Sequence, residues 1–121
     1  MDKATHARYF LDTARAGQIA EARAMVTATA VHHNMYFGSD MRVLIDAIAA
    51  ASVEFPESTF TPQKTVTEGN MVVMHSHVTH HLGEAGMAVF HMFRFEGDLI
   101  AELWDVGQSI IADSPNKAGM F

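Results

Sequence analysis

The sequence contains no cysteine and only three prolines among its 121 residues. Without cysteine the chain has no disulfides, no thiolate nucleophile and no cysteine-based zinc site, which suits the reducing cytoplasm. Basic residues are also few: lysine and arginine total 8 against 14 aspartates and glutamates, a formal net charge of −6. Nucleic-acid binding needs clustered positive charge, so we expect no such partner. No apolar run reaches the length of a membrane span or resembles a signal sequence, so we expect a cytoplasmic protein without membrane contacts.

What the chain does contain is typical of a folded globular protein. Hydrophobic residues make up 49% of it and charged residues 18%, a balance that excludes a disordered chain. The length fits one domain with a sizeable core and is too short for two. We therefore expect residues 1–121 to form a single domain.

The first half of the chain follows helical spacing. Asp2 can cap a first helix. The second helix follows almost at once and carries Val26 on its apolar side. The segment VHHNMYFG, residues 31–38, breaks the pattern and is predicted to lead into a turn. Ser39 or Asp40 then caps a third helix.

From Ser58 onward the periodicity changes from helical to alternating. It predicts four strands, at residues 59–67, 71–81, 87–95 and 99–109. Helices followed by strands predict an α+β fold, with three N-terminal helices on one face of an antiparallel sheet. The third strand is apolar on both faces, so we expect the uncovered face to form a homodimer, unless the C-terminal tail covers it.

One histidine and one aspartate interrupt the most apolar part of the sheet. His91 and Asp105 lie on the two strands of the last predicted hairpin. A two-residue turn would place His91 opposite Trp104 and direct Asp105 to the other face. A three-residue loop would place His91 opposite Leu103 and put both titratable groups on one face. A single bulge would interconvert the two registers, so the sequence leaves both open.

His75 and His77 are two residues apart, so on a strand they share a face and could bind a metal. The stretch from Gly69 to His77 matches the opening of the first cupin motif. The glutamate that the cupin motif requires comes too late, at Glu84, and the second cupin motif is absent. We therefore predict no metal site and place both histidines among the substrate-binding residues.

The run AVFHMFRFEGDLIAELWDVGQ, residues 88–108, resembles the C-terminal hairpin of the SnoaL-like polyketide cyclases. These belong to the nuclear transport factor 2-like and ketosteroid isomerase-like superfamily. The break at Ala16-Gly17 and the segment Val31-His32-His33-Asn34 fit the same pattern, so the resemblance covers nearly the whole chain. It implies a cone-shaped, cystatin-like fold: a curved antiparallel sheet around a long helix, with a deep apolar pocket open at one end.

The resemblance also implies a set of site residues. An aspartate on the last strand of these cyclases acts as acid and base in an intramolecular aldol closure, with histidines nearby. The matching catalytic positions here are Asp105, His91 and His33. This requires Asp105 and His91 to share a face, which favours the longer loop or a bulge. Four aromatic residues are expected to shape the cavity around a small apolar or aromatic carbonyl compound: Trp104, Phe93, Tyr36 and Phe37.

We therefore expect an enzyme of the SnoaL-like type that needs no cofactor and performs acid–base catalysis at carbon α to a carbonyl, by aldol cyclisation or isomerisation. Two titratable groups in one apolar pocket are typical of proton transfer to and from carbon. Two alternatives remain: a non-catalytic ligand-binding or dimerisation module on the same fold, and a metalloprotein that uses His75 and His77.

Overall fold

A curved sheet of five strands packs against three helices in the computed structural model, which describes all residues from 1 to 121. The elements in chain order are α1 (Lys3–Arg15), α2 (Ile19–Ala24), β1 (Val26–His32), α3 (Met41–Glu54), β2 (Thr59–Glu68), β3 (Met71–Thr79), β4 (Met87–Glu96) and β5 (Leu99–Ser109). Strands β2 to β5 form an antiparallel meander, and the sheet order is β1-β5-β4-β3-β2. The predicted α+β fold and its three helices are confirmed.

Strand β1 was missed by the sequence analysis. The prediction that Val26 lies on the second helix was wrong, since α2 ends at Ala24 and Val26 begins β1. The alternating β-branched residues of VTATAVH favour a strand, but its small alanines make its apolar pattern weak. Because β1 runs parallel to β5, the sheet is mixed, whereas a wholly antiparallel sheet was expected. The strand ends at His32, just before the predicted turn.

Side-chain caps hold the starts of the two longer helices. The carboxylate of Asp2 accepts a hydrogen bond from the Thr5 amide at 2.7 Å, as predicted for α1. Asp40 caps α3 by accepting from the Arg42 amide at 2.9 Å, and the Arg42 side chain holds the pKa of Asp40 at about 2. None of the helices combines the length and the apolar character needed to cross a bilayer.

The core lies between the helices and the concave face of the sheet. Phe10 of α1 meets Phe93 of β4 edge to face, with ring centroids 6.5 Å apart, and both side chains are fully buried. Such pairs add to the stabilisation that burial alone provides. Around them pack the other largest buried side chains: Phe95, Met41, Ile45, Met74, Ile100, Leu103 and Val72.

A bulge in β5 fixes which residues face the core. The turn between β4 and β5 contains only two residues, since Glu96 pairs with Leu99. One step further along, the ladder shifts by one position, which leaves Ala101 as an extra residue in β5. Beyond the bulge, His91 pairs directly with Asp105. The turn is therefore the shorter of the two predicted ones, yet the bulge brings both titratable groups to one face.

Candidate active site

A cavity of about 680 Å³ opens between the helices and the concave face of the sheet. Its walls are mostly apolar, and a volume of this size suits a small cyclic molecule. Its main lining residues come from α3, β2, β4 and β5: Leu44, Ile48, Ala51, Phe60, Val89 and Gly107. His91 and Asp105 also line this cavity.

His91 and Asp105 form a loosely spaced pair on neighbouring strands. The Nε2 atom of His91 lies 4.0 Å from Oδ1 of Asp105, which is longer than a hydrogen bond. Burial lowers the pKa of His91, and the nearby Asp105 carboxylate opposes that shift only partly. His91 is therefore a neutral imidazole at neutral pH.

The two ring nitrogens of His91 have different surroundings. Nδ1 is shielded from solvent and has no hydrogen-bond partner, whereas Nε2 is the nitrogen beside the Asp105 carboxylate. The negative charge of that carboxylate favours the tautomer with its proton on Nε2. A ligand in the cavity thus meets an N–H donor and a carboxylate acceptor next to each other.

Asn34 positions Asp105, and the sequence analysis gave it no role. Its side-chain amide donates to Oδ2 of Asp105 at 3.0 Å, so Oδ1 is the oxygen left free toward His91. The Asn34 side-chain oxygen accepts from the Tyr36 amide at 3.0 Å. The only sequence signal was an asparagine directly after two histidines, where the chain leaves a strand.

His32 holds the turn that carries Asn34. The ring is 98% buried, since only 2% of the residue is exposed. Its Nδ1 accepts the Asn34 amide at 3.1 Å, and its Nε2 donates to the carbonyl of Gly38, so both nitrogens are satisfied across the turn. His32 therefore has a structural role, one residue before the histidine that was predicted to be catalytic.

His33 lies at the cavity rim, but its imidazole is held on the outer side of the sheet. It stacks on Trp104 at 5.0 Å and 12°, and its Nε2 lies 2.6 Å from Oε2 of Glu102. The hydrogen bonds from His33 and from Arg94 lower the pKa of Glu102. The structure thus joins His33 to Glu102 and not to Asp105.

Four of the predicted substrate-binding residues lie outside the cavity: Trp104, Phe93, His75 and His77. Phe93 is part of the packed core beneath it. Side chains alternate along a strand, so with Asp105 facing inward Trp104 faces outward, and with Met74 buried His75 and His77 face outward. The prediction that these residues line the cavity is corrected accordingly.

On the outer face the two β3 histidines make aromatic and backbone contacts. His75 stacks on Phe90 at 4.2 Å, and Phe121 of the C-terminal tail lies against both histidines. His77 Nε2 also lies 2.8 Å from the Ala85 carbonyl oxygen. No group of three or more His, Asp or Glu side chains is arranged to hold a metal ion.

Tyr36 and Phe37 lie at the mouth of the cavity, on the turn that Asn34 begins. Tyr36 is 91% exposed and Phe37 45% exposed, so both are available to a ligand that enters. Inside, Phe60 of β2 meets His91 edge to face at 5.9 Å, a lining role that the sequence did not predict. His80 also lines the cavity, stacked on Phe55 at 4.4 Å.

The family model described as the SnoaL-like domain matches residues 7–103, which is most of the chain. The chain belongs to the SnoaL-like domain family. The predicted membership is thereby confirmed, and the match includes β4 with His91 and ends two residues before Asp105. No curated protein matches this SnoaL-like chain significantly.

Several solved structures share the fold. IdmH from Streptomyces antibioticus, a proposed polyketide cyclase, has a TM-score of 0.71 at 16% identity over 88% of this chain and 93% of its own. A proposed ketosteroid isomerase from Kribbella flavida has a TM-score of 0.71 at 14% identity, covering 94% and 83%. A cystatin-fold protein from Novosphingobium aromaticivorans has a TM-score of 0.70 at 19% identity, covering 88% and 98%. At these identities the likeness establishes the nuclear transport factor 2-like, cystatin-like fold alone.

Proposed function

We propose that this SnoaL-like protein is an enzyme that moves a proton at the carbon α to a carbonyl group. The observation that carries the proposal is the pair of His91 Nε2 and Asp105 Oδ1, 4.0 Å apart in an apolar cavity of about 680 Å³. A gap of this length leaves room for a ligand oxygen and hydrogen to lie between a donor and an acceptor. General acid–base chemistry of this kind uses only the side chains of the protein.

In the proposed mechanism the free oxygen of Asp105 removes the α-proton of the bound ketone. The electron pair of the broken C–H bond moves into the developing enolate, whose oxygen accepts a hydrogen bond from His91 Nε2–H. Because the imidazole starts out neutral, it stabilises the oxygen without adding a charge to the apolar cavity. The proton then resides on Asp105.

Two outcomes balance this step. If the proton returns from Asp105 to a different carbon, the product is an isomer of the substrate. If the enolate carbon attacks a second carbonyl in the same molecule, a carbon–carbon bond forms and the new alkoxide takes the proton from Asp105, which is an aldol cyclisation. The occurrence of proposed cyclases and a proposed ketosteroid isomerase among the structures of the same fold supports this class of chemistry.

Exchange of α-protons for solvent deuterium tests the proposal without knowledge of the natural substrate. Wild-type protein is incubated in heavy water with a series of aryl and cyclic ketones, and loss of the α-proton signal is followed by proton NMR. Asp105→Asn should lower the exchange rate by about a hundredfold to ten-thousandfold, the usual contribution of a general base. Asp98→Asn, in the turn of the same hairpin, is the matched control and should exchange like wild type.

Exchange by the wild type no faster than in buffer across the ketone series would remove the proposal, as would equal rates in the wild type and Asp105→Asn. The non-catalytic alternative predicts a different result, in which ketones bind the cavity and Asp105→Asn changes neither affinity nor exchange.

We also propose a homodimer through the outer face of the sheet. Phe90 and Val106 are 51% and 66% exposed on that face, although Phe121 of the tail covers part of it through its contacts with His75 and His77. Exposed aromatic and aliphatic side chains on a sheet face are favourable contact points for a second copy.

A further inference from the structure

Arg15 is the one arginine of this chain with no carboxylate within 4.0 Å. Each of the other four has an acidic partner: Arg8 with Asp12, Arg23 with Asp46, Arg42 with Asp40, and Arg94 with both Glu96 and Glu102. Arg15 instead lines the cavity that contains His91 and Asp105. A half-buried guanidinium without a counter-ion is uncommon, because removing a charge from water is costly unless it is paired.

The contacts of Arg15 hold its guanidinium in place while leaving donors free. Nη2 donates to the Ser58 carbonyl at 3.2 Å and lies 3.3 Å from the Ser58 hydroxyl. The guanidinium carbon lies 5.8 Å from the centre of the Phe60 ring, a cation–π distance. Nε and Nη1 make no hydrogen bond within the protein. A planar fork of N–H donors with fixed orientation matches a carboxylate in a two-point contact.

Phe60 connects this cation to the pair described above. Its ring meets the guanidinium of Arg15 on one side and the imidazole of His91 on the other, at 5.8 and 5.9 Å from its centre. Asp105 is the only acidic residue that lines the cavity. The cavity therefore has one cationic position and one acid–base position, separated by about the width of an aromatic ring.

A purely structural role for Arg15 explains less of this arrangement. Arg15 is the last residue of α1, where a positive charge is favourable toward the helix dipole. That effect requires no position in the cavity wall and no unused donors. Asp12, one turn earlier, borders a shallow depression beside Arg15, but its carboxylate is paired with Arg8 at 3.6 Å.

We propose that Arg15 binds the carboxylate of a substrate that carries its reacting carbonyl at the opposite end of a ring-sized apolar body. The substrate class is thus an aromatic or alicyclic keto acid. The carbonyl end of this inference rests on the proposed function, whereas the carboxylate end rests on Arg15 alone.

Calorimetric titration with two isosteric probes tests the inference. Para-acetylbenzoate carries a methyl ketone and a carboxylate on opposite sides of one ring, and para-acetylbenzamide replaces the carboxylate with a neutral amide. Wild type should bind the carboxylate more tightly. Arg15→Gln should weaken para-acetylbenzoate by at least about tenfold, as expected for loss of hydrogen bonds to a charged group, and should leave the amide unchanged. Arg15→Lys, which keeps the charge without the fork, should lie between.

Arg23→Gln is the matched control, because it removes the same charge from an exposed arginine that is paired with Asp46 and does not line the cavity. It should bind both probes like wild type. Circular dichroism and thermal unfolding establish that each variant is folded.

Equal affinity of Arg15→Gln and wild type for para-acetylbenzoate overturns the inference. So does a wild type that binds the amide as tightly as the carboxylate, or one that binds neither probe at its solubility limit. Equilibrium binding does not require turnover. An Arg15-dependent preference for the carboxylate without proton exchange would keep the subsite and remove the proposed function, and exchange that depends on Asp105 without that preference would do the reverse.

Discussion

His91 and Asp105 face each other across the β4–β5 ladder, with Nε2 of the imidazole 4.0 Å from Oδ1 of the carboxylate. Their meeting depends on the bulge at Ala101, since an uninterrupted ladder from the two-residue turn would send Asp105 to the outer face. Strand pairing fixes both backbones, and Asn34 fixes the carboxylate from a third element. The pair is therefore held in position before a ligand arrives.

Asn34→Asp isolates the contribution of the amide donor. The substituted side chain keeps the oxygen that accepts from the Tyr36 amide but places a second negative charge beside Oδ2 of Asp105. We expect the rate of α-proton exchange to fall by about tenfold to a hundredfold, because the base loses its orientation and one proton is shared between the two carboxyls. Saturation kinetics should place the loss in kcat and leave KM nearly unchanged. A variant as active as wild type would show that Asn34 does not position the base.

His91 should make stability depend on pH in a defined window. Burial lowers its pKa below the ordinary value of 6.5, so the unfolded chain binds the proton more readily than the folded one. The contribution is fully present above that value and is lost as the pH falls from about 7 to about 5. Denaturant unfolding of wild type and His91→Gln across this range should give a difference that shrinks toward acid pH. A constant difference would contradict the burial of a neutral imidazole.

The two glycines that flank β4 separate backbone strain from steric collision. Both have positive φ, +76° at Gly86 and +58° at Gly97. A Cβ at Gly97 would meet nothing within 4 Å, so Gly97→Ala should cost only about 1–2 kcal/mol for its left-handed backbone. A Cβ at Gly86 would lie 2.2 Å from the Val78 carbonyl oxygen, so Gly86→Ala should destabilise considerably more. Urea unfolding of the two variants measures the difference, and similar values would contradict this packing.

Phe93 and Phe90 lie on opposite faces of β4 and should respond differently to truncation. Phe93 is fully buried against Phe10, so Phe93→Ala should cost about 3–5 kcal/mol. Phe90 is 51% exposed and stacks on His75, so Phe90→Ala should cost clearly less in the monomer. Denaturant unfolding compares them directly. Equal losses would indicate that the outer face is as tightly packed as the core.

Phe90→Glu tests the proposed homodimer. A charge on the exposed half of this ring should separate two copies that meet through the outer face, while leaving the inner core intact. Sedimentation velocity should give a dimer for wild type and a monomer for the variant. Val66→Glu, on β2 and 67% exposed, is the matched control and should remain dimeric. A monomeric wild type would contradict the dimer.

The change from helical to alternating periodicity near Ser58 was sufficient to predict the α+β fold and four of the five strands. Strand β1 escaped because its alanines give a weak apolar alternation and its parallel partner, β5, lies far away in sequence. The bulge at Ala101 also escaped, since alanine carries no signal for a bulge and only the pairing of two strands reveals it.

The candidate site was predictable where the chemistry of a residue conflicts with its surroundings. A histidine and an aspartate among aliphatic and aromatic residues marked His91 and Asp105. The β3 histidines could not be placed in the same way, because strand spacing shows that His75 and His77 share a face but not which face that is. Asn34 and Arg15 were given no role, since each is an ordinary polar residue until the fold brings it to the cavity.

The short turn from Asn34 to Gly38 is both the doorway of the cavity and the brace of its base. Redesign for bulkier molecules would naturally begin by trimming Tyr36 or Phe37, yet loosening that doorway would also release Asp105. Room is better made from the opposite wall, where Ala47 and Ala51 of α3 line the cavity without touching the turn's hydrogen bonds. In this protein, access and reactivity can be engineered separately only from the helical side.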